Sequence, residues 1–140
     1  MKIITHSPEE TEALGARYAA GLRPGAVVAL EGELGAGKTA FARGVLRGLG
    51  YTGRVTSPTF AIANEYDAPI APVAHFDMYR ILDPEALFEL GFEEYLDGER
   101  ILLIEWSENA GALLPEAHRT VQITYGAADD TRILEIGETA

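Results

Sequence analysis

The 140-residue sequence predicts one α/β domain, with parallel strands at its centre, antiparallel strands added, a C-terminal β-hairpin and helices on both faces. Three observations predict it. Gly32-Glu33-Leu34-Gly35-Ala36-Gly37-Lys38-Thr39 fits G-x-x-x-x-G-K-[ST], and it stands between an apolar run, Ala26–Leu30, and a helical pattern, Thr39–Leu49. Ile101-Leu102-Leu103-Ile104 is an unbroken apolar run, the pattern of a parallel strand covered on both faces. Thr120–Tyr125 and Arg132–Ile136 alternate apolar and polar residues around Ala127–Asp130, which reads as a hairpin. Together they describe a P-loop NTPase type of fold.

In chain order, Ser7-Pro8-Glu9-Glu10 predicts a helix start, with Ser7 as N-cap, Pro8 in the first turn and Glu10 closing a capping box. Leu14, Tyr18 and Leu22 follow at a spacing of four, so the helix is expected over 8–22 with one stripe on the core. The P-loop strand is bounded by Pro24-Gly25. Its helix carries Phe41, Val45 and Leu49 on one face and should close at Gly50, in the C′ position. Alternation from Thr59 to Tyr66 predicts a strand, turned back at Asp67-Ala68-Pro69 into a second strand, 70–77. Asp83-Pro84-Glu85 predicts a helix that stops at Gly91, and a short helical piece follows over 92–96. Residues 107–114 read as a short helix and loop before Pro115. No repeat or linker divides residues 1–140, so a single domain is expected.

Composition narrows the function. A net charge of −11 argues against a broad nucleic-acid or anionic-membrane footprint. The absence of cysteine removes disulfide and thiolate-metal chemistry and suits a reducing cytosol. No run approaches the roughly 20 apolar residues that span a bilayer, and no secretory leader is read at the N-terminus.

The motif chemistry is specific. Glycines let backbone N–H groups turn inward around a phosphate, and the helix N-terminus adds partial positive charge. The expected cradle is Glu33, Leu34, Gly35, Ala36, Gly37, Lys38, Thr39 and Ala40. Lys38 would reach the β- and γ-phosphates, and the Thr39 hydroxyl would ligate Mg²⁺. Hydrolysis further needs a carboxylate, and two strands end in one: His75-Phe76-Asp77 and Ile104-Glu105. Both should emerge on the P-loop edge of a parallel sheet. Glu105 is the first choice as Mg²⁺ ligand or support, and Asp77 the candidate for metal or water positioning. The plainer alternative for each is a strand-end acid that caps a turn or pairs with Arg80 or Arg100. Thr59, after Ser57-Pro58, is either a γ-phosphate sensor or part of a common turn. His75 reads as a structural histidine and Trp106 as packing beside the site. The acids between 83 and 99 form a solvated face or a docking surface. The guanine-reading Asn-Lys-x-Asp cannot occur with lysine only at 2 and 38, which favours ATP.

Four stretches then act together: 32–39, Thr56-Ser57-Pro58-Thr59-Phe60, His75-Phe76-Asp77-Met78-Tyr79-Arg80 and Ile104-Glu105-Trp106. In this order and spacing, across about residues 5 to 125, the chain closely resembles the TsaE family, the small P-loop ATPase of bacterial tRNA threonylcarbamoyladenosine biosynthesis. The resemblance implies ATP binding and slow hydrolysis with Mg²⁺, in a cytoplasmic complex with TsaB and TsaD proteins. TsaD would carry the threonylcarbamoyl transfer to the adenosine next to the anticodon, and the ATPase would reset the TsaB–TsaD contact between turnovers. By the same resemblance Lys38 and Thr39 hold phosphate and Mg²⁺, Thr59 is the switch-like threonine, and Asp77 and Glu105 serve metal and hydrolysis. tRNA would be held by the partners. One departure is Trp106-Ser107, where the family usually has Trp-Pro; it bears on the loop leaving the strand. The rival readings are a small-molecule P-loop kinase and a non-catalytic module that ATP merely switches.

Overall fold

The computed structural model describes residues 1–33, 36–55, 63–78, 85, 89, 91–106, 114, 115 and 117–139. The first part, 59–62, of the strand expected from Thr59 to Tyr66, most of the helix at 83–90 and the segment 107–113 lie outside the described residues, although Glu85 and Glu89 are helical.

Among the described residues the order is β1 (Lys2–Thr5), α1 (Pro8–Ala19), β2 (Val27–Glu31), α2 (Lys38–Gly48), β3 (Ala63–Asp67), β4 (Pro72–Asp77), a 3-10 helix (Phe92–Tyr95), β5 (Ile101–Glu105), β6 (His118–Tyr125) and β7 (Arg132–Thr139). The strands form one mixed sheet in the order β1-β7-β6-β2-β5-β4-β3. The four inner strands β6, β2, β5 and β4 are parallel, while β1, β7 and β3 pair antiparallel at the two sides.

The apolar runs occupy the centre, as a sheet covered on both faces requires. In β2 and β5, alternate residues enter opposite clusters. Val28, Leu30, Ile101 and Leu103 pack with Phe41, Val45, Leu46 and Leu14 of the two helices. Val27, Leu102 and Ile104 pack on the other face with Phe92 of the 3-10 helix. The sheet therefore has helical cover on both sides.

α1 starts as its sequence predicts: the Ser7 hydroxyl accepts the Glu10 N–H at 3.1 Å, a cap that contributes about 1 kcal/mol. The Glu10 carboxylate reaches back to the His6 N–H at 3.1 Å instead of the N-cap amide. α1 ends at Ala19 rather than residue 22. The N–H groups of Ala20, Gly21 and Leu22 bond three residues back, a tightened last turn that still delivers Leu22 to the core. α1 and α2 then approach backbone to backbone. A Cβ on Gly44 would lie 1.9 Å from the Glu12 carbonyl oxygen, so only glycine allows this contact. α2 closes with the Gly50 N–H on Arg47 O and the Tyr51 N–H on Leu46 O, the paired bonds of a Schellman end.

Two features go beyond the sequence reading. β1 is a strand, and β6, the first strand of the hairpin, lies directly beside the P-loop strand. No described helix is long and apolar enough to cross a membrane.

Candidate functional site

The site is built where β2 ends and α2 begins. β2 stops at Glu31, Gly32 turns with φ 149°, and α2 opens at Lys38 with Gly37 as its N-cap at φ 107°. Both angles lie in the region that favours glycine. A Cβ on Gly32 would meet the Ile123 carbonyl oxygen at 2.3 Å, so the loop leaves the sheet pressed against β6. No side chain caps α2, and its first turn holds no acid. The positive end of the α2 dipole is thus turned toward the loop with no acid of its own first turn to offset it.

Lys38 is 5% exposed. Its Nζ donates to the Gly32 carbonyl at 2.7 Å and lies 4.0 Å from the centroid of the Trp106 ring. The cation is thus held at the mouth of the loop between the end of β2 and the end of β5. Trp106 follows Glu105 directly and has φ 58°, the one positive value among described residues other than glycine. Such a backbone costs about 1–3 kcal/mol and marks a position its surroundings over-determine. The sequence assigned Trp106 to packing, whereas the structure gives it the charge of Lys38. Beside it opens a cavity of about 560 Å³ bounded by Gly32, Glu33, Trp106, Gln122, Thr124 and Tyr125.

The two strand-end carboxylates arrive in register. β4 and β5 are parallel with Asp77 opposite Glu105, and β2 and β5 place Leu30 opposite Glu105. Glu105 is 5% exposed, and Asp77 is half-buried. Glu105 shares the parity of Ile101 and Leu103, so it faces the α1–α2 side on which the P-loop helix lies. Its Oε2 is 2.6 Å from Nε2 of His75, which is fully buried two residues before Asp77. An ionised Glu105 accepts this bond from the Nε2–H tautomer. His75 Nδ1 has no hydrogen-bond partner among the described residues. As a lone-pair acceptor it costs less there than an orphaned N–H would. His75 therefore holds the carboxylate in place, a pairing across 30 residues.

Of the expected site residues, the structure brings Lys38, Thr39 and Ala40 into the first turn of α2, with Ala36 and Gly37 before it. It sets Asp77 and Glu105 on neighbouring strand ends. Glu33 is exposed. Leu34, Gly35, Thr59 and Arg80 lie outside the described residues. Arg132 was not foreseen: its Nε donates to the Ala36 carbonyl at 3.1 Å. Nothing in sequence spacing marks a contact over 96 residues.

A Mg²⁺ ion prefers a few hard oxygen ligands and keeps water and phosphate oxygens for the rest. The donors on this edge, the Thr39 hydroxyl and the two carboxylates, fit that preference. No cluster of three or more His, Cys, Asp or Glu gathers among the described residues, as an all-protein cage would require.

Residues 5–134 match the family model described as threonylcarbamoyl adenosine biosynthesis protein TsaE. A tRNA threonylcarbamoyladenosine biosynthesis protein TsaE from Haemophilus influenzae is 46% identical over 110 residues, covering 79% of this chain and 68% of that protein. The Bacillus subtilis protein of the same name is 41% identical over 133 residues, covering 95% and 83%. The crystal structure of Bacillus subtilis YdiB superposes with a TM-score of 0.85 at 37% identity, covering all of this chain and 86% of that one.

Proposed function

The chain belongs to the TsaE family, and from that membership we propose that it binds and hydrolyses ATP as a component of the machinery that makes threonylcarbamoyladenosine in tRNA. Its working partners are TsaB and TsaD proteins, its compartment is the cytoplasm, and tRNA reaches it only through those partners. The observation that supports the reading is the placing of Lys38, held on the Gly32 carbonyl at the end of β2, against Trp106, which follows Glu105 at the end of β5.

The residues divide the work. The backbone of the loop and the first turn of α2 bind phosphate oxygens, and Lys38 exchanges the Gly32 carbonyl for phosphate charge. Thr39 with Glu105 or Asp77 would hold Mg²⁺, which neutralises charge on the phosphates when bound. Glu105, kept in one orientation by His75, faces the place where a water would be aligned, and Asp77 shares that edge. A nearly dry carboxylate acts more strongly than a solvated one. The acidic surface suits a protein that docks on proteins rather than on tRNA. The kinase alternative gains nothing from relatives named for tRNA modification.

The test is reconstitution of the modification. Threonylcarbamoyladenosine formation on tRNA by TsaB and TsaD proteins should continue through many turnovers only when this chain and ATP are present. The Lys38→Ala variant should fail to support it. Undiminished product without the chain, or phosphate transferred to a small acceptor, would overturn the proposal.

A further inference from the structure

We infer that Arg132 is a positioning residue for phosphate binding, which fixes the orientation of the Ala36–Gly37 peptide from the C-terminal hairpin. The inference rests on the nucleotide reading above and extends it to a residue outside the P-loop.

Arg132 opens β7, opposite Tyr125 in register. Its guanidinium carbon lies 4.7 Å from the Tyr125 ring centroid, and Nη1 donates to the carbonyls of Asp129 at 2.6 Å and Thr131 at 2.9 Å. The head group is thereby locked by its own turn, and one edge stays free to reach outward. That edge carries Nε, whose N–H bonds to Ala36 O at 3.1 Å. The Ala36 N–H is itself committed to the Glu33 carbonyl at 3.1 Å, so both polar groups of this residue are held.

The consequence follows from peptide geometry. The Ala36 carbonyl and the Gly37 N–H belong to one planar trans unit and point in opposite directions. A donor anchored on the carbonyl therefore commits the Gly37 N–H to the other side, at the N-cap of α2. Arg132 is also charged, and a cation on the carbonyl polarises the peptide and strengthens its N–H as a donor. Glycine at φ 107° has no side chain to hold this plane, so a rigid outside partner limits its freedom. The hairpin meets the other end of the loop as well, where Gly32 presses on Ile123.

The test compares three substitutions in the full chain by titration with ADP and Mg²⁺, with thermal melting of the ligand-free protein alongside. Arg132→Gln places an amide N–H at the position of Nε but removes the charge. Arg132→Lys keeps the charge but has carbon there, and Arg132→Ala removes both. The expected Kd for ADP rises about tenfold in the Ala and Lys variants and stays within about threefold in the Gln variant, as loss and retention of one charged-site hydrogen bond dictate. Wild-type affinity in Arg132→Ala would overturn the inference, as would a Lys variant that binds normally while the Gln variant does not. Melting losses with unchanged Kd would reduce Arg132 to a hairpin support and overturn it too. If the unsubstituted chain failed to bind ADP, the nucleotide reading itself would fall.

Discussion

On the β5 side of the P-loop the functional groups arrive by strand register, whereas on the β6–β7 side they arrive by one backbone contact and one long side chain. Asp77 and Glu105 stand opposite each other because β4 and β5 pair in parallel, and His75, two residues before Asp77 on β4, bonds Glu105 across the pair. A slip of β4 by one residue would turn His75 and Asp77 to the other face, away from Glu105. Across the loop, Gly32 rests on Ile123 O and Arg132 reaches Ala36 O. On the proposed function, that side holds the loop's shape and the β5 side supplies its chemistry. The two duties can therefore be separated by mutation.

The largest effect is expected at Lys38, which belongs to both sides. Lys38→Ala should weaken ATP binding on the order of 100-fold or more, since it removes the charged donor to the β- and γ-phosphates. Titration calorimetry would detect this, and near-normal affinity would break the comparison at its centre. On the β5 side, His75→Leu leaves Glu105 buried without its partner. That should cost about 3 kcal/mol in urea unfolding. Unchanged stability would mean that the pair is not needed to hold the carboxylate.

On the β6 side, Gly32→Ala sets a methyl against a backbone oxygen that cannot move cheaply. It should cost about 2 kcal/mol and lower nucleotide affinity, while Glu105 keeps its bond to His75. The smallest effect lies away from both sides, at Asp97. The N–H groups of Arg100 and Glu99 bond its carboxylate and hold its pKa below the ordinary 3.8. Its contribution to stability is present above that value and fades as pH falls through the lowered one. Asp97→Ala should therefore lower the melting temperature slightly at pH 7, with the difference vanishing in acid below the carboxylate range. A difference that grows in acid would reverse the assignment.

The contrast also explains what could be read before the structure. Strand β2, the P-loop and α2 were legible because motif, apolar run and helical spacing coincide within 25 residues or so. The acids were legible because each closes an apolar run, and register turned two separate endings into one edge. The hairpin was legible from alternation. Its place beside β2 was not, since periodicity reveals a strand but not its neighbour. β1 was missed because four residues, Lys2-Ile3-Ile4-Thr5, are too few to show a period. The His75–Glu105 and Arg132–Ala36 bonds join residues that only the sheet order brings together. Trp106 was read as packing beside the site, and its contact with Lys38 depends on a backbone turn that residue type does not announce. Thr59 and Arg80 lie outside the described residues.

The role of Glu105 is probed by measuring ATP binding and ATP hydrolysis in the same Glu105→Gln protein, with TsaB and TsaD proteins present. The substitution keeps size and a hydrogen-bonding partner for His75 while removing the charge. Hydrolysis should fall by about 100-fold or more, the scale expected for losing one electrostatic group at a reacting centre, and binding should change by less than about threefold. Hydrolysis at the unsubstituted rate would show that the β5 side does not carry the chemistry.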